Sequence, residues 1–533
     1  MKAKPFRFIV TVCLIAITAG LLTGCGAKKA SLGVIRLDSG PISGINNDGI
    51  WTYLGVPFAA PPVGGLRWKE PQPVESWEEV RECTEYGPVC PQPEGAVEDG
   101  GVGDARASED CLYLNVWTPA KSSSEKLPVM VWIHGGGFVK GAGSVPMYDG
   151  HNLAKEGVVL VTINYRLGPL GFLAHPLLSK ESPMGVSGNY GLLDQIETLR
   201  WVKSNIGSFG GDKDRVTIFG ESAGAVSVCF LMASPLAEGL FQRAIVESGP
   251  FMDHEMLFTP FRTMEQCEQT GERFVSSLGC AGQSNPIEAM RKKTPEELLE
   301  ATTLEPGAFE GCVNIELAPA VDEYVLPDDP VSVYMNKEQH DVPLIVGSNR
   351  DEGTLFVKDT NMSADEYRQT VLNFYGDYGE DVLELFPPDE DGDIKQTLSR
   401  LTTVMDFFSV ARFTAASMEG KNSSAYLYEF SRVPPPVEGM GVGAFHGSEI
   451  QYVFGNLDTA EGYREEDLEL SRTIMRYWVD FADSGDPNGN GAPRWPSHDI
   501  EADGLIELGD EISVKPVDHQ EACDLADRIR KVN

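Results

Sequence analysis

Short apolar runs recur along the chain and are separated by stretches in which apolar positions follow a helical spacing. Residues 126–133 (KLPVMVWI) and 158–165 (VVLVTINY) are continuous apolar runs, typical of strands covered on both faces of a sheet. Residues 216–219 and 343–348 are similar runs, and residues 191–206, which precede the run 216–219, carry apolar side chains at near-helical spacing. Buried strands that alternate with helices predict an α/β fold with a large, doubly wound and mostly parallel central sheet.

Three short β-favouring segments precede these runs, at residues 32–37, 41–45 and 52–56. Gly, Asn and Asp turns join them, and we expect them to form a small antiparallel edge. Two long stretches, 252–340 and 356–440, fit the alternation poorly because they mix charged amphipathic helices with Pro and Gly. We interpret them as insertions that form a helical roof over the carboxyl edge of the sheet, where ligands bind in open α/β folds.

The predicted strand 216–219 is followed by a predicted helix, 225–232, after only five residues, Gly-Glu-Ser-Ala-Gly. Such a change needs a tight, strained bend in which side chains at the two glycine positions would strike neighbouring backbone. The bend lifts the Ser222 hydroxyl out of the sheet as a nucleophile elbow, and it leaves the Ala223 N–H free at the helix start. A glycine-bounded turn with an idle serine is the alternative, because GxSxG also recurs by chance. The flanking strand and helix favour a nucleophile.

A serine hydroxyl is a poor nucleophile until a base removes its proton, and that base needs an oriented carboxylate. In elbow enzymes the acid and then the histidine follow the serine along the chain. Asp351 and Glu352 both follow a later predicted strand. The local sequence gives no reason to choose one of these two carboxylates over the other as the acid of the triad. His446, His498 and His519 lie further on, and the turn that contains His446 favours it over the other two.

A third requirement is a set of fixed donors for the oxyanion that forms when an ester carbonyl is attacked. Residues 134–137 (HGGG) directly follow a predicted strand. Gly136 and Gly137 have no side chains, so they can present N–H groups beside that of Ala223. A flexible glycine turn is the alternative when this motif is taken without the elbow.

The composition is that of a large globular protein. The chain has 533 residues, of which 42% are hydrophobic, and no repeat or low-complexity tract divides it. Residues 32–533 are therefore expected to form a single domain. The formal net charge of −37 argues against nucleic acid and anionic lipid surfaces as partners. A small-molecule substrate is the partner we expect, and the sequence leaves the oligomeric state open.

The first 24 residues have the pattern of a secretory signal peptide. Three basic residues precede the mostly apolar run 8–22, which is short for a membrane span. The run leads into Leu-Thr-Gly followed by Cys25, which resembles the lipobox of bacterial lipoproteins. We expect Cys25 to be lipidated and 25–31 to form a short tether. The protein would then be exported and lipid-anchored outside the bacterial cytoplasmic membrane, or secreted; an uncleaved N-terminal anchor is the alternative.

Export makes disulfide bonds available to the cysteines of the mature domain. Cys90 and Cys111 bracket a glycine-rich acidic loop, and closing a loop of about twenty residues stabilises a fold by roughly 3 kcal/mol. Cys83 lies close enough in sequence to compete for Cys111, whereas Cys229 is expected to be a buried, inert thiol. No histidine accompanies the cysteines at zinc spacing, so we expect no metal site. The sequence leaves open the pairing of Cys267, Cys280, Cys312 and Cys523.

These motifs together resemble those of the type B carboxylesterases, the family that contains the cholinesterases and the bacterial para-nitrobenzyl esterases. The family's segments occur in the family's order across essentially the whole mature chain, which makes the match highly specific. The matching segments are 109–117 (EDCLYLNVW), 134–138 (HGGGF), 164–166 (NYR), 188–195 (GNYGLLDQ), 209–224 (FGGDKDRVTIFGESAG), 351–353 (DEG) and 445–449 (FHGSE).

The resemblance implies an α/β-hydrolase fold and a cofactor-free serine carboxylesterase that acts through an acyl-enzyme intermediate. It identifies Glu352, rather than Asp351, as the acid that orients His446, the base for Ser222. The oxyanion hole that it implies is formed by Gly136, Gly137 and Ala223.

The resemblance also implies several supporting residues. Cys90 and Cys111 match the family's first disulfide. Ser248 resembles the hydroxyl that supports the triad carboxylate. Glu221 is a further candidate supporting residue, because it is next to the nucleophile in the chain. Structural ion pairs are implied for Arg67 with Glu109 and for Arg166 with Asp194.

Two departures from the family pattern restrict the function. No Trp lies between Cys90 and Cys111, where cholinesterases carry the aromatic platform for the quaternary ammonium of choline, which disfavours cholinesterase activity. The segment after Cys280 also lacks the second cysteine of the family's next disulfide. A lipase-like hydrolase with an apolar lid at 252–261 is another alternative. A non-catalytic, neuroligin-like binding domain is disfavoured because every part of the triad is present.

Overall fold

One large sheet dominates the fold. The computed structural model of the chain describes residues 32–93, 106–252, 261–302, 304–306, 313–315, 317–357, 362–389, 394–489 and 491–531. Numbered in chain order, its strands are β1 Val34–Arg36, β2 Pro41–Ser43, β3 Ile45–Asn47, β4 Ile50–Pro57, β5 Arg81–Glu82, β6 Tyr113–Thr118, β7 Leu127–Ile133, β8 Val159–Ile163, β9 Gly211–Glu221, β10 Arg243–Glu247, β11 Arg262–Thr263, β12 Leu304–Pro306, β13 Val313–Ile315, β14 Ala320–Val321, β15 Leu344–Asn349, β16 Ala425–Phe430, β17 Gly504–Leu508 and β18 Ser513–Pro516.

Eleven strands of the described chain form the central sheet, in the order β18-β17-β16-β15-β10-β9-β7-β8-β6-β4-β3. The strands from β17 to β8 in this order are parallel, and antiparallel pairs extend the sheet at both ends. The predicted α/β class with a mostly parallel sheet is therefore confirmed. The carboxyl ends of β9, β10 and β15 lie side by side, which is where ligands bind in open α/β sheets.

Helices surround the sheet. Numbered in chain order, they are α1 His151–Lys155, α2 Gly168–Phe172, α3 Pro176–Glu181, α4 Tyr190–Asn205, α5 Ala223–Ala233, α6 Met264–Ser277, α7 Pro286–Met290, α8 Pro295–Glu300, α9 Pro330–Met335, α10 Gly353–Phe356, α11 Ala364–Tyr375, α12 Gly379–Leu385, α13 Ile394–Thr402, α14 Ser409–Ala416, α15 Ile450–Phe454, α16 Glu465–Ser484 and α17 Gln520–Ile529. None of the helices in the described ranges combines the length and the apolarity that crossing a membrane requires.

Alternate side chains of the central strands enter two different hydrophobic cores. In β7, Val129 and Val131 belong to the core that includes apolar side chains of α4 and α5. Met130 and Trp132 belong to the core that includes α15 and α16. The strand is buried on both faces, which explains why its sequence is a continuous apolar run rather than an alternating one.

The N-terminal strands are divided between two sheets, so the expectation of one small antiparallel edge is wrong. Strands β1, β2 and β5 form a separate three-stranded sheet, whereas β3 and β4 extend the central sheet next to β6. The chain passes from one sheet to the other at Gly44. A Cβ atom there would lie 2.4 Å from the carbonyl oxygen of Thr52, so the close approach requires glycine.

The two insertions are mainly helical where they are described. The first carries α6 to α9 with two small two-stranded sheets, β11-β14 and β12-β13. The second carries α11 to α14 and a π-helical turn, Thr403–Phe408. The expected range 356–440 is too long, because it also contains β16, a strand of the central sheet. This second insertion has its own small core, shared with α17. Its π-helical turn contacts β15 and so reaches the carboxyl side of the sheet.

Candidate active site

The bend between β9 and α5 has the strained geometry that its sequence predicts. Ser222 adopts φ 55° and ψ −124°, a conformation that costs a non-glycine residue about 1–3 kcal/mol. Cβ atoms at Gly220 and Gly224 would lie 2.5 Å and 2.0 Å from the carbonyl oxygen of Ile133. Only glycine fits these two positions, because β7 lies directly against the bend.

The backbone holds Ser222 in place while its hydroxyl stays unpaired. The Ser222 N–H donates to the carbonyl oxygen of Glu247 at 3.0 Å, which ties the bend to the end of β10. The residue is 9% exposed, and its hydroxyl forms no hydrogen bond with any residue that the structure describes. The hydroxyl is therefore free to take a new partner.

Of the two candidate acids, Glu352 is the one in contact with His446. Its Oε2 lies 2.5 Å from His446 Nδ1, and its Oε1 accepts the backbone N–H of Asn349 at 2.6 Å. Asp351 instead accepts the backbone N–H of Ala444 at 2.8 Å. Glu352 is fully buried, so its carboxylate interacts strongly with the imidazole.

The other nitrogen of His446 faces a group that the sequence did not identify as its partner. Nε2 lies 3.0 Å from Glu221 Oε1, but the two groups are too poorly aligned for a hydrogen bond. Among the described residues no hydrogen bond joins Nε2 to Ser222. A Cβ atom at Gly135 would lie 2.6 Å from Glu221 Oε2 and 3.0 Å from Ser222 Cβ, so both residues face the same glycine.

Two aromatic rings that stack on each other pack against one side of the imidazole. The Phe356 and Phe407 ring centroids lie 4.8 Å and 5.1 Å from that of His446. Phe407 belongs to the π-helical turn of the second insertion. Residue spacing gave no signal for either contact, because the two rings come from different segments of the chain.

The charges around His446 favour its protonated form. Burial by itself lowers the pKa of the imidazole, but the negative charges of Glu221 and Glu352 outweigh burial and raise it well above its usual value. His498 and His519 have other surroundings. Burial lowers the pKa of both, and His498 lies near the Gly504 carbonyl while His519 packs against Phe408.

The glycine loop after β7 carries unpaired amides. Gly136 and Gly137 have φ values of 102° and 62°, which favour glycine. Within the described residues, no acceptor pairs with the N–H groups of Gly136, Gly137 or Ala223. These amides can therefore donate to a ligand.

His134, which opens the loop, is a structural residue. Its ring stacks on Tyr165 with centroids 4.4 Å apart, and its Nδ1 lies 2.8 Å from the Gly135 carbonyl oxygen. Burial lowers the pKa of His134 to about 4, so the ring is neutral at physiological pH. It holds the loop against β8 and does not compete with His446 as a base.

The expected disulfide and both ion pairs are confirmed. Cys90 and Cys111 are bonded, with Cα atoms 5.0 Å apart, and Cys83 is a free, buried thiol. The two ion pairs are Arg67 with Glu109, whose Nε and Oε1 atoms are 2.6 Å apart, and Arg166 with Asp194, whose Nε and Oδ2 atoms are 2.8 Å apart.

The predictions for the other cysteines, for Ser248 and for the lid candidate are confirmed only in part. Cys229 is buried and burial raises the pKa of its thiol to about 12, as expected of an inert cysteine. The Ser248 hydroxyl is buried without a hydrogen-bond partner among the described residues, so its support of the triad carboxylate stays a prediction. Cys25, Cys312 and most of the lid candidate 252–261 lie outside the described residues. The free, buried thiols also include Cys267, Cys280 and Cys523.

The chain is similar to known esterases over most of its length. The model of the Carboxylesterase family matches residues 31–526. The fumonisin B1 esterase of Sphingopyxis macrogoltabida is 38% identical over 477 residues, which cover 87% of this chain and 84% of that protein. The para-nitrobenzyl esterase of Bacillus subtilis is 37% identical over 494 residues, which cover 90% of this chain and 96% of that protein.

A solved structure of a PNB esterase matches the fold with a TM-score of 0.80 and 36% sequence identity, covering 93% of this chain and all of that one. The predicted α/β-hydrolase fold is confirmed by this likeness together with the large mixed sheet. The family match spans the whole described sheet, including the elbow, the glycine loop and the His446 turn. This chain therefore belongs to the carboxylesterase family and is a carboxylic ester hydrolase.

Proposed function

We propose that Ser222, His446 and Glu352 carry out ester hydrolysis as a catalytic triad through an acyl-enzyme intermediate. The observation that carries this proposal is the 2.5 Å contact between Glu352 and His446 Nδ1, because it orients the opposite nitrogen of the same ring toward the elbow. The strained, unpaired Ser222 at that elbow supplies the nucleophile.

The first half-reaction transfers the acyl group to Ser222. Neutral His446 takes the Ser222 proton at Nε2 while the serine oxygen bonds to the ester carbonyl carbon. The imidazolium then gives that proton to the alkoxide as the carbon–oxygen bond of the leaving group breaks, and an alcohol departs. Glu352 keeps the remaining proton on Nδ1 and balances the charge of the imidazolium.

The second half-reaction releases the acid. His446 takes a proton from water, whose oxygen bonds to the acyl carbon, and returns it to the Ser222 oxygen as the acyl bond breaks. The N–H groups of Gly136, Gly137 and Ala223 donate to the oxyanion in both steps. Removing one such donor typically slows turnover about 10²–10³-fold.

The contact between His446 Nε2 and Glu221 is compatible with this mechanism. Glu221 is adjacent to Ser222 in the chain, and both lie against Gly135, so a small movement of the imidazole changes its partner. Catalytic hydrogen bonds are often long or misaligned before substrate binds and tighten in the complex. Phe356 and Phe407 contact the imidazole through tilted rings, so they restrict its position on that side.

The direct test replaces the proposed nucleophile and base separately. We expect Ser222→Ala and His446→Ala to abolish hydrolysis of short-chain p-nitrophenyl esters while circular dichroism shows an intact fold. A fluorophosphonate should label the unmodified protein at Ser222 and should not label S222A. Undiminished turnover in either folded variant would contradict the proposed roles.

Acyl-chain and alcohol preference are set by the insertions, and ester panels would measure them. The similar bacterial proteins are named for fumonisin B1 and para-nitrobenzyl esters, and the substrates we propose for this chain are small-molecule carboxylic esters. Activity that rises sharply when a substrate forms droplets would favour the lipase-like alternative. Acetylthiocholine turnover would favour the cholinesterase-like one.

We also propose that the enzyme is exported and anchored by lipid at Cys25. The support is the signal-like run 8–22 followed by the lipobox-like Leu-Thr-Gly-Cys. Residues 1–24 would be removed, and 25–31 would tether the single domain formed by 32–533. Mass spectrometry of the mature N-terminus should find a lipid-modified Cys25, and an intact Met1 would contradict the proposal.

A further inference from the structure

Four glutamates lie around His446 with almost no access to solvent. Glu221 and Glu352 contact the imidazole, whereas Glu247 and Glu449 are 0% and 1% exposed and touch neither ring nitrogen. Among the described residues, no lysine or arginine forms an ion pair with any of the four. One imidazolium cannot balance four buried negative charges, so the cluster must retain protons.

Glu247 is held at one oxygen only. It lies at the end of β10, directly opposite Glu221 at the end of β9, so both side chains leave the sheet on the same face. Its Oε1 accepts the indole N–H of Trp478 at 2.7 Å. Its Oε2 is buried and has no hydrogen-bond partner among the described residues.

Glu449 is likewise held at one oxygen only. Its Oε2 accepts a side-chain N–H of Asn349, and its Oε1 is buried without a partner in the described part of the chain. The backbone N–H of the same Asn349 donates to Glu352 Oε1 at 2.6 Å. Asn349 therefore connects Glu449 to the carboxylate that orients His446.

We propose that Glu247 and Glu449 share one proton through their two unpaired oxygens. The pair positions Asn349 and, through it, the triad residue Glu352. This positioning role rests on the proposed function. The shared proton gives both orphan oxygens a partner and removes one negative charge from the cluster. The connection then runs from Trp478 through the acid pair and Asn349 to the triad. Glu247 and Glu449 are positioning residues and need not touch the substrate.

The surrounding groups favour retention of this proton. Burial and then the charge of Glu449 raise the pKa of Glu247, while burial and then the charges of Glu221 and Glu352 raise the pKa of Glu449 to about 8. The other titratable groups that interact with the pair are the hydroxyls of Tyr148 and Tyr428. Burial raises the pKa of both tyrosines, so they stay neutral and add no charge.

The proposal predicts how the activity of a glutamine variant depends on pH. Glu247→Gln replaces a neutral acid with a neutral amide that can still donate to Glu449, so it removes no charge near His446. The pH at which kcat/KM falls to half of its maximum on the acid side of the profile, here called the acid limb, should therefore be the same as in the unmodified enzyme. Glu221→Gln is the matched control, because it removes a carboxylate charge next to the imidazole and should move that limb down by about one pH unit or more.

A shift of the E247Q acid limb as large as that of E221Q would mean that Glu247 is ionised, and it would overturn the proposal. Infrared spectroscopy tests the proton without using activity. The unmodified protein at neutral pH should show the carbonyl stretch of a protonated carboxylic acid that moves on ¹³C-glutamate labelling and is lost in E247Q.

A second variant covers the case in which E247Q does not fold. Trp478→Phe removes the N–H donor to Glu247 while keeping an aromatic ring against Tyr428 and Trp495, and it should move the acid band to higher frequency. Absence of a glutamic acid band from the unmodified protein would overturn the proposal, even if S222A is inactive as expected. Conversely, an active S222A would contradict the proposed triad while leaving the infrared result intact, so the two failures are distinguishable.

Discussion

The sharpest functional prediction concerns Glu352→Gln, because the structure fixes which way the new amide must face. The backbone N–H of Asn349 donates to Oε1 at 2.6 Å, so the carbonyl oxygen of the glutamine must occupy that position. Its NH₂ group then takes the place of Oε2, 2.5 Å from His446 Nδ1. An amide donor at that distance requires Nδ1 to be an acceptor.

The ring proton is then on Nε2, the nitrogen that must accept the Ser222 proton. Glu221, 3.0 Å from Nε2, stabilises this unproductive tautomer further. The comparable acid-to-amide change in a serine protease triad lowers kcat about 10⁴-fold, which corresponds to about 5 kcal/mol of transition-state stabilisation. We expect a loss of that size in E352Q with little change in KM.

Steady-state hydrolysis of p-nitrophenyl acetate measures this loss, and thermal unfolding checks that the variant is folded. Asp351→Asn is the matched control, because Asp351 accepts only the Ala444 N–H in this region and an asparagine oxygen can still accept it. We expect D351N to keep activity within about tenfold, a change of about 1.4 kcal/mol. Activity of E352Q within tenfold of the unmodified enzyme, or an equal loss in D351N, would refute the reasoning.

Replacing Gly136 by Ala should lower kcat about 10²–10³-fold in the same assay, because the new Cβ would lie 2.2 Å from the Lys140 carbonyl oxygen and displace an oxyanion donor; an unchanged kcat would contradict the assignment. Asp194→Asn should lower the free energy of unfolding by about 3–5 kcal/mol in urea, because a buried Arg166 loses its counter-charge, whereas Glu181→Gln at the more exposed Arg291 pair should cost no more than about 1 kcal/mol. The contribution of the Glu247–Glu449 pair to stability should fall as pH rises from about 4.3 toward 8, because the folded pair, with the pKa of Glu449 raised to about 8, holds one proton that the unfolded chain releases. Urea midpoints across that range should decline less steeply in E449Q.

Local sequence determined the parts of this protein whose physical causes are local. Continuous apolar runs identified β7, β8 and β15 because these strands are buried on both faces. The elbow was predictable because the steric conflict that requires Gly220 and Gly224 arises within a few residues of Ser222 and against an adjacent strand. The resemblance to the carboxylesterases added the choice of Glu352, which residue spacing alone did not provide.

Tertiary structure decided everything that depends on the order of strands in the sheet. The sequence does not reveal that β15, β10 and β9 are neighbours, and that order is what brings Glu352, Glu247 and Glu221 to one edge. Trp478 reaches Glu247 across 231 residues of chain, and no periodicity encodes such a contact. The elbow and the glycine loop were therefore predictable from the sequence, whereas the set of buried charges that controls the imidazole was not, because it forms only when distant strands pack together.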